Sequence, residues 1–255
     1  RGGDAEPLPA PTPVARARLT HGRRPFAPGG RRPAVTRYLL LAPGVLARRE
    51  GDVAGALADA LARAAVGVSA TAPELRPRLD LPWDNPDRPH ADWPGERWWT
   101  EHRGAFADAL SAVGVDRRRA DAVAGEVRGH YADPDRWTVA EGARGTVEAL
   151  ADRCWEPVLV ANAPPDLADL LASLGFEFAE TFVSAETGFE KPHLRAFETV
   201  VEWAGDARLW AVGAAYERDV EPARRVGVPG VLVGDHPGAD RSCTDVTGVP
   251  DLLPE

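Results

Sequence analysis

Glu186-Thr187-Gly188-Phe189-Glu190-Lys191-Pro192-His193 holds the single lysine of a 255-residue chain whose other side-chain cations, among 30 Lys+Arg residues, are all arginine. A chain biased towards Arg, Ala, Gly and Pro is what a GC-rich genome encodes, so a lysine kept here points to a need for a compact ammonium in place of a planar guanidinium fork. Upstream, 181–185 reads as a short buried strand, and downstream, 194–204 has the apolar spacing of a helix. The same alternation extends along the chain. Strand-sized apolar runs lie at 36–42, 157–161, 209–213 and 230–234, and helical spacing recurs at 165–174 and 217–226. Alternating strands and helices imply right-handed crossovers and an α/β, Rossmann-like core with a mostly parallel sheet. Ligands on such sheets bind at the carboxyl ends of the strands.

Length and composition set the outer limits. With 44% hydrophobic residues, 255 residues furnish one large core or a core with an insertion. The longest apolar runs, at 38–42 and 157–161, are far too short to cross a bilayer, so no membrane is expected as a partner. Cys154 and Cys243 lie far apart, without metal-ligand spacing, which fits a reducing, cytoplasmic setting. A net charge of -9 disfavours nucleic acid as a partner.

That charge is unevenly distributed. Residues 1–35 carry seven arginines against Asp4 and Glu6, a net +5 that leaves -14 for the remainder. Rich in Pro and poor in periodic apolar residues, this stretch reads as a basic, flexible arm able to meet an acidic protein partner or a second copy of the acidic body. The core is assigned to 36–50 and 141–240, and 241–255 to a C-terminal tail. Between the first two strands, 51–140 shows helical patterns at 53–65, 96–113 and 117–131 and reads as an all-helical cap. Its Trp83, Trp93, Trp98, Trp99 and Trp137 are read as filling a small helical core. Asp84, Asp87, His90 and Asp92 read as part of a solvated loop, and His193 as a surface or capping group.

A strand, a helical insertion, then strand and helix repeats with a Gly-x-x-Lys-Pro segment after the third strand make up an order that resembles the haloacid dehalogenase-like (HAD) hydrolase superfamily. The resemblance is to the branch whose helical cap follows the first strand directly. It runs from about residue 38 to 235 and rests on Ala161-Asn162-Ala163-Pro164-Pro165, on Gly188-Phe189-Glu190-Lys191-Pro192 and on Val212-Gly213-Ala214-Ala215-Tyr216-Glu217-Arg218-Asp219. The resemblance implies a nucleophilic aspartate, a second aspartate two residues later as acid and base, a hydroxyl and a lysine on the phosphoryl oxygens, and acids holding Mg²⁺.

Laid on this chain, the nucleophile position is Leu41 and the acid/base position is Pro43, which has neither a side-chain proton nor a backbone N–H. The hydroxyl position is Ala161 and the first acid of the last motif is Ala214. Only Lys191 and Asp219 keep the family's residue types. No acid lies anywhere between 36 and 49, so a shift of register does not restore the carboxylate. The sequence therefore predicts no cofactor, the Mg²⁺ site being lost, and no metal site. Lys191 is expected to pair with Asp219, or with Asn162 to cradle a small anionic ligand. The expected function is that of a catalytically degenerate relative acting as a binding, regulatory or scaffold protein through its cleft, cap or arm. The alternative is an enzyme with repurposed chemistry on a small phosphorylated or carboxylated metabolite.

Overall fold

The computed structural model describes residues 36–90, 93 and 95–254. The arm at 1–35 and Asp92 lie outside the described residues. In chain order, β1 (Arg37–Leu41) ends in a tight turn and leads through β2 (Ala47–Arg49) into the cap. The cap comprises α1 (Asp52–Ala64), the short α2 (Ala72–Leu75), α3 (Glu96–Ala112), α4 (Arg117–Ala124) and α5 (Val127–Tyr131). The chain returns through β3 (Trp137–Val139) to α6 (Ala143–Asp152), β4 (Trp155–Ala161), α7 (Leu167–Ser173), β5 (Glu180–Val183) and α8 (Ser184–Thr187). It closes with α9 (Arg195–Ala204), β6 (Arg208–Gly213), a π turn at Tyr216–Val220, α10 (Glu221–Arg225), β7 (Gly230–Val233), β8 (Ser242–Cys243) and α11 (Val249–Leu252). No helix among the described residues is long and apolar enough to cross a membrane.

Six strands form one parallel sheet in the order β5-β4-β1-β6-β7-β8. β1 lies between β4 and β6, with Leu41 in register with Leu159 on one side and Val212 on the other. Alternate residues of β1 enter opposite layers, because a strand presents successive side chains to opposite faces. Leu39 and Leu41 join the larger core shared with the cap, while Leu40 packs with Val158, Val160, Phe197 and Val200 beneath α9. The carboxyl ends of β1, β4 and β6 thus come together under the cap.

Several sequence expectations shift in detail. The 51–140 insertion is not all helical, since β3 pairs antiparallel with β2 through Arg48 and Thr138 to make a ribbon at the base of the cap. The helix expected over 117–131 breaks at Gly125 and Glu126, where the Arg103 guanidinium takes the Asp121 carbonyl (2.8 Å) and stops the ladder. The strand expected over 181–185 ends at Val183, because the chain turns into α8 at Ser184. Nor is 241–255 merely a tail. β8 extends the sheet, Asp245 caps the following turn through the Thr247 N–H (2.9 Å), and Val246, Val249 and Leu253 are buried.

The cap core is aromatic, as the tryptophan set implies. Trp98 is fully buried, edge-on to Trp99 and stacked with His102, while Trp99 packs on Tyr131 and Tyr131 meets Trp137 edge-on. His90 departs from its expected solvated loop. It is largely buried and stacks on Trp93 at 4.6 Å between ring centroids.

Candidate functional site

The turn after β1 places Leu41 at the carboxyl end of the central strand, only 2% exposed, and starts the following turn with Pro43. Beside it, β4 ends at the buried Ala161, and β6 ends at Gly213 with Ala214 exposed just beyond. The residues aligned by sequence are therefore gathered at one sheet edge. Two leucine methyl groups, a pyrrolidine ring and two alanine methyls supply no nucleophile, proton or metal ligand there.

Lys191 projects into the same edge and is 3% exposed. Its ammonium donates to Asp219 Oδ1 (2.7 Å) and to the Val160 carbonyl (2.8 Å), so the expected pairing with Asp219 is present. Burial pushes the ammonium below the ordinary lysine range, against the pull of Asp219. Burial works against the Asp219 carboxylate too, but Lys191, Arg218 and backbone hydrogen bonding hold it below the usual range. Its Oδ2 accepts from the N–H groups of Ala214 (3.2 Å) and Ala215 (3.1 Å), and Arg218 Nε reaches Oδ1 at 3.4 Å. This approach depends on Gly213, where an added Cβ sits 2.2 Å from Asp219 Cβ.

Asn162 does not face a ligand with its amide. Its Oδ1 accepts from the Lys191 N–H (2.7 Å) and its Nδ2 donates to the Lys191 carbonyl (2.8 Å), so the amide clamps the lysine's backbone. Asn162 and Lys191 are brought together, each on intramolecular partners. Measured against the Mg²⁺ that the resemblance implies, the donor set does not fit. Asp219 is its one carboxylate, both of its oxygens are engaged, and Leu41 and Ala214 contribute no side-chain oxygen. Among the described residues no group of three or more His, Cys, Asp or Glu side chains converges to hold a metal.

Sequence reasoning assigned no site role to the charged groups at the entrance of the cap. Asp52 opens α1 at φ 49 after Gly51 at φ 68, an uncommon left-handed pair at the cap entrance. Desolvation by the surrounding protein lifts its carboxyl to about 6, against the opposing pull of Arg49, Arg76 and Arg218. Arg49 itself is buried and ties β2 to the cap helices through Asp59 and the His130 carbonyl (3.4 Å). No local pattern announces these roles, since they arise from the packing of distant segments.

Two further carboxylates join cap to core. Asp166 accepts from the Trp99 indole (2.6 Å) on α3 and from Arg128 Nε (2.8 Å) on α5. Glu190, the neighbour of Lys191, is fully buried with Oε1 3.2 Å from His90 Nε2. His193, by contrast, caps α9 by accepting from the Arg195 N–H (3.2 Å), as expected. His102 holds the Trp98 carbonyl at 2.8 Å within the cap, where burial lowers its proton affinity.

The sequence profile described as haloacid dehalogenase-like hydrolase matches residues 34–227. A haloacid dehalogenase-like hydrolase domain-containing protein 3 from Bos taurus is 27% identical over 170 residues, covering 62% of this chain and 64% of that protein, less than two thirds of its length. Among solved structures, a 2-haloacid dehalogenase from Pseudomonas syringae superposes with a TM-score of 0.60 at 20% identity, over 86% of this chain and 98% of that one. A putative HAD-hydrolase from Bacillus subtilis, bound to magnesium and described as revealing interdomain movement, gives 0.63 at 17% identity, over 86% and 99%. At these identities the structures bear on the fold alone.

Proposed function

We propose, from the premise that this chain belongs to the haloacid dehalogenase-like hydrolase family, that it has lost the family's chemistry and acts as a binding, regulatory or scaffold protein. The observation that carries this reading is Leu41, a buried aliphatic side chain at the end of the central strand where the nucleophilic carboxylate belongs. Pro43, Ala161 and Ala214 remove the other polar groups, and Asp219 is saturated by the protein's own cations and N–H groups. Mg²⁺ is no part of this proposal. A cytoplasmic setting fits Cys154 and Cys243, both free thiols. The partner is a protein or small anionic ligand meeting the cleft, the cap or the arm.

Turnover of a generic phosphate ester and of a 2-haloacid, each with and without Mg²⁺, tests the reading. The dehalogenases among the similar structures motivate the second substrate. No product above buffer is expected, and turnover by the unmodified chain overturns the proposal. Leu41→Asp combined with Pro43→Asp is expected to stay inactive, because Ala161 still withholds a hydroxyl from the phosphoryl group and Ala214 a carboxylate from the metal.

One observation favours the second reading, an enzyme with repurposed chemistry. A carboxyl at the entrance of the cap that desolvation lifts to about 6 is suited to proton transfer near neutrality. That reading predicts a product-forming reaction abolished by Asp52→Asn with a pH profile breaking near 6.

A further inference from the structure

We infer that two core carboxylates, Asp166 and Glu190, act as clasps that keep the cap closed on the core in the protein's working state. Both stand on the loops that follow strands of the sheet edge, Asp166 after β4 and Glu190 after β5 beside Lys191. Asp166 spends both oxygens on the cap, one on the Trp99 indole N–H and one on Arg128 Nε. Glu190 is the tighter constraint. Its side chain is fully excluded from solvent, its Oε1 faces His90, and its Oε2 is buried with no hydrogen-bond partner among the described residues. A buried carboxylate already short of partners is costly to separate from a neighbouring imidazole.

Backbone contacts reinforce the Glu190 clasp. The His90 N–H donates to the Gly188 carbonyl (3.1 Å) and the Trp93 N–H to the Ala185 carbonyl (2.6 Å). Gly188 admits this approach, since an added Cβ there lies 2.6 Å from the His90 carbonyl oxygen. The clasp is also continuous with the cap core, because His90 stacks on Trp93, Trp93 meets His102 edge-on, and His102 stacks with Trp98. Opening the cap therefore breaks five polar contacts at once and disturbs the aromatic stack behind one of them. A cap that must admit substrate and release product at each cycle works best with fastenings that let go readily. These do not have that character.

The inference concerns motion and does not depend on the absence of turnover, so the two fail separately. Amide hydrogen exchange of the full chain, followed by NMR, tests it. In the unmodified protein the His90 and Trp93 amides are expected to exchange within about tenfold of Leu40 and Leu159 in the central strands, because release requires near-global opening. Exchange more than about a hundredfold faster than those strand amides overturns the inference. Asp166→Ala with Glu190→Ala is expected to speed His90 and Trp93 by about a hundredfold, and unchanged rates count against the clasps. Where the double variant does not fold, Trp99→Phe, which removes the indole donor and trims the ring but keeps an aromatic group in the cap core, is expected to raise the same two rates by about tenfold, and no rise is again a refutation.

Discussion

Replacing Lys191 by methionine strands Asp219 among Arg218 and two N–H groups without its buried ammonium. Breaking a buried pair from one side typically costs about 3 kcal/mol, so Lys191→Met is expected to lower urea-unfolding stability by that order. Asp219→Leu should cost a similar amount, and the two together should recover much of the loss, since an apolar pair leaves no charge behind. Lys191→Arg is no rescue, because a planar fork does not replace an ammonium held between Val160 and Asp219. Asp52 yields a prediction of a different kind. Its folded carboxyl is raised from 3.8 to about 6, so the fold holds this proton more tightly than the unfolded chain does. Stability from this group is present at low pH and is lost as pH rises through about 6. Asp52→Asn is expected to flatten that slope between pH 4 and 6 and to stabilise the protein above it, as read by thermal unfolding across pH. The lone lysine and its acid could be found in the sequence because a fixed motif order points to them. Asp52 and Arg218 could not be found that way, since their meaning depends on charges brought together only by folding.

Elements reveal themselves in sequence to the extent that their side chains repeat. The strands at 209–213 and 230–234 and the long cap helices were legible because each buries a regular apolar pattern against one core. The ribbon of β2 and β3 was not, for three residues a side give periodicity nothing to act on. Likewise β8 contributes two residues, and it becomes a strand only because β7 offers an edge. Two glycines test how tightly the elements are set. Gly213→Ala drives a methyl into Asp219 and should destabilise by about 2 kcal/mol through overpacking next to a buried charge. Gly188→Ala meets both a left-handed backbone at φ 79 and the His90 carbonyl, and should cost about 1–2 kcal/mol. Chemical denaturation measures both, and a neutral Gly213→Ala would mean that the π turn carrying Asp219 is softer than its contacts indicate.

For the whole molecule, the proposed loss of the Mg²⁺ site has a thermodynamic signature. A ligand that binds only the folded state raises its melting temperature by mass action, so millimolar Mg²⁺ or a chelator is expected to leave Tm unchanged within about 1 °C. A rise with Mg²⁺ would show a site that the Asp219 geometry does not provide. Architecture at this scale was well anticipated by the alternation of strands and helices, whereas the seam between cap and core was not. That seam includes the contacts of Asp166 with Trp99 and Arg128 and of Glu190 with His90, each between residues far apart in the chain. The burial of Lys191 also carries a practical consequence. With one lysine in 255 residues and its amine sealed at the sheet edge, amine-directed cross-linkers and dyes meet no lysine on the folded surface. Acylation of Lys191 thus becomes a clock for unfolding, running only as fast as the sheet edge opens.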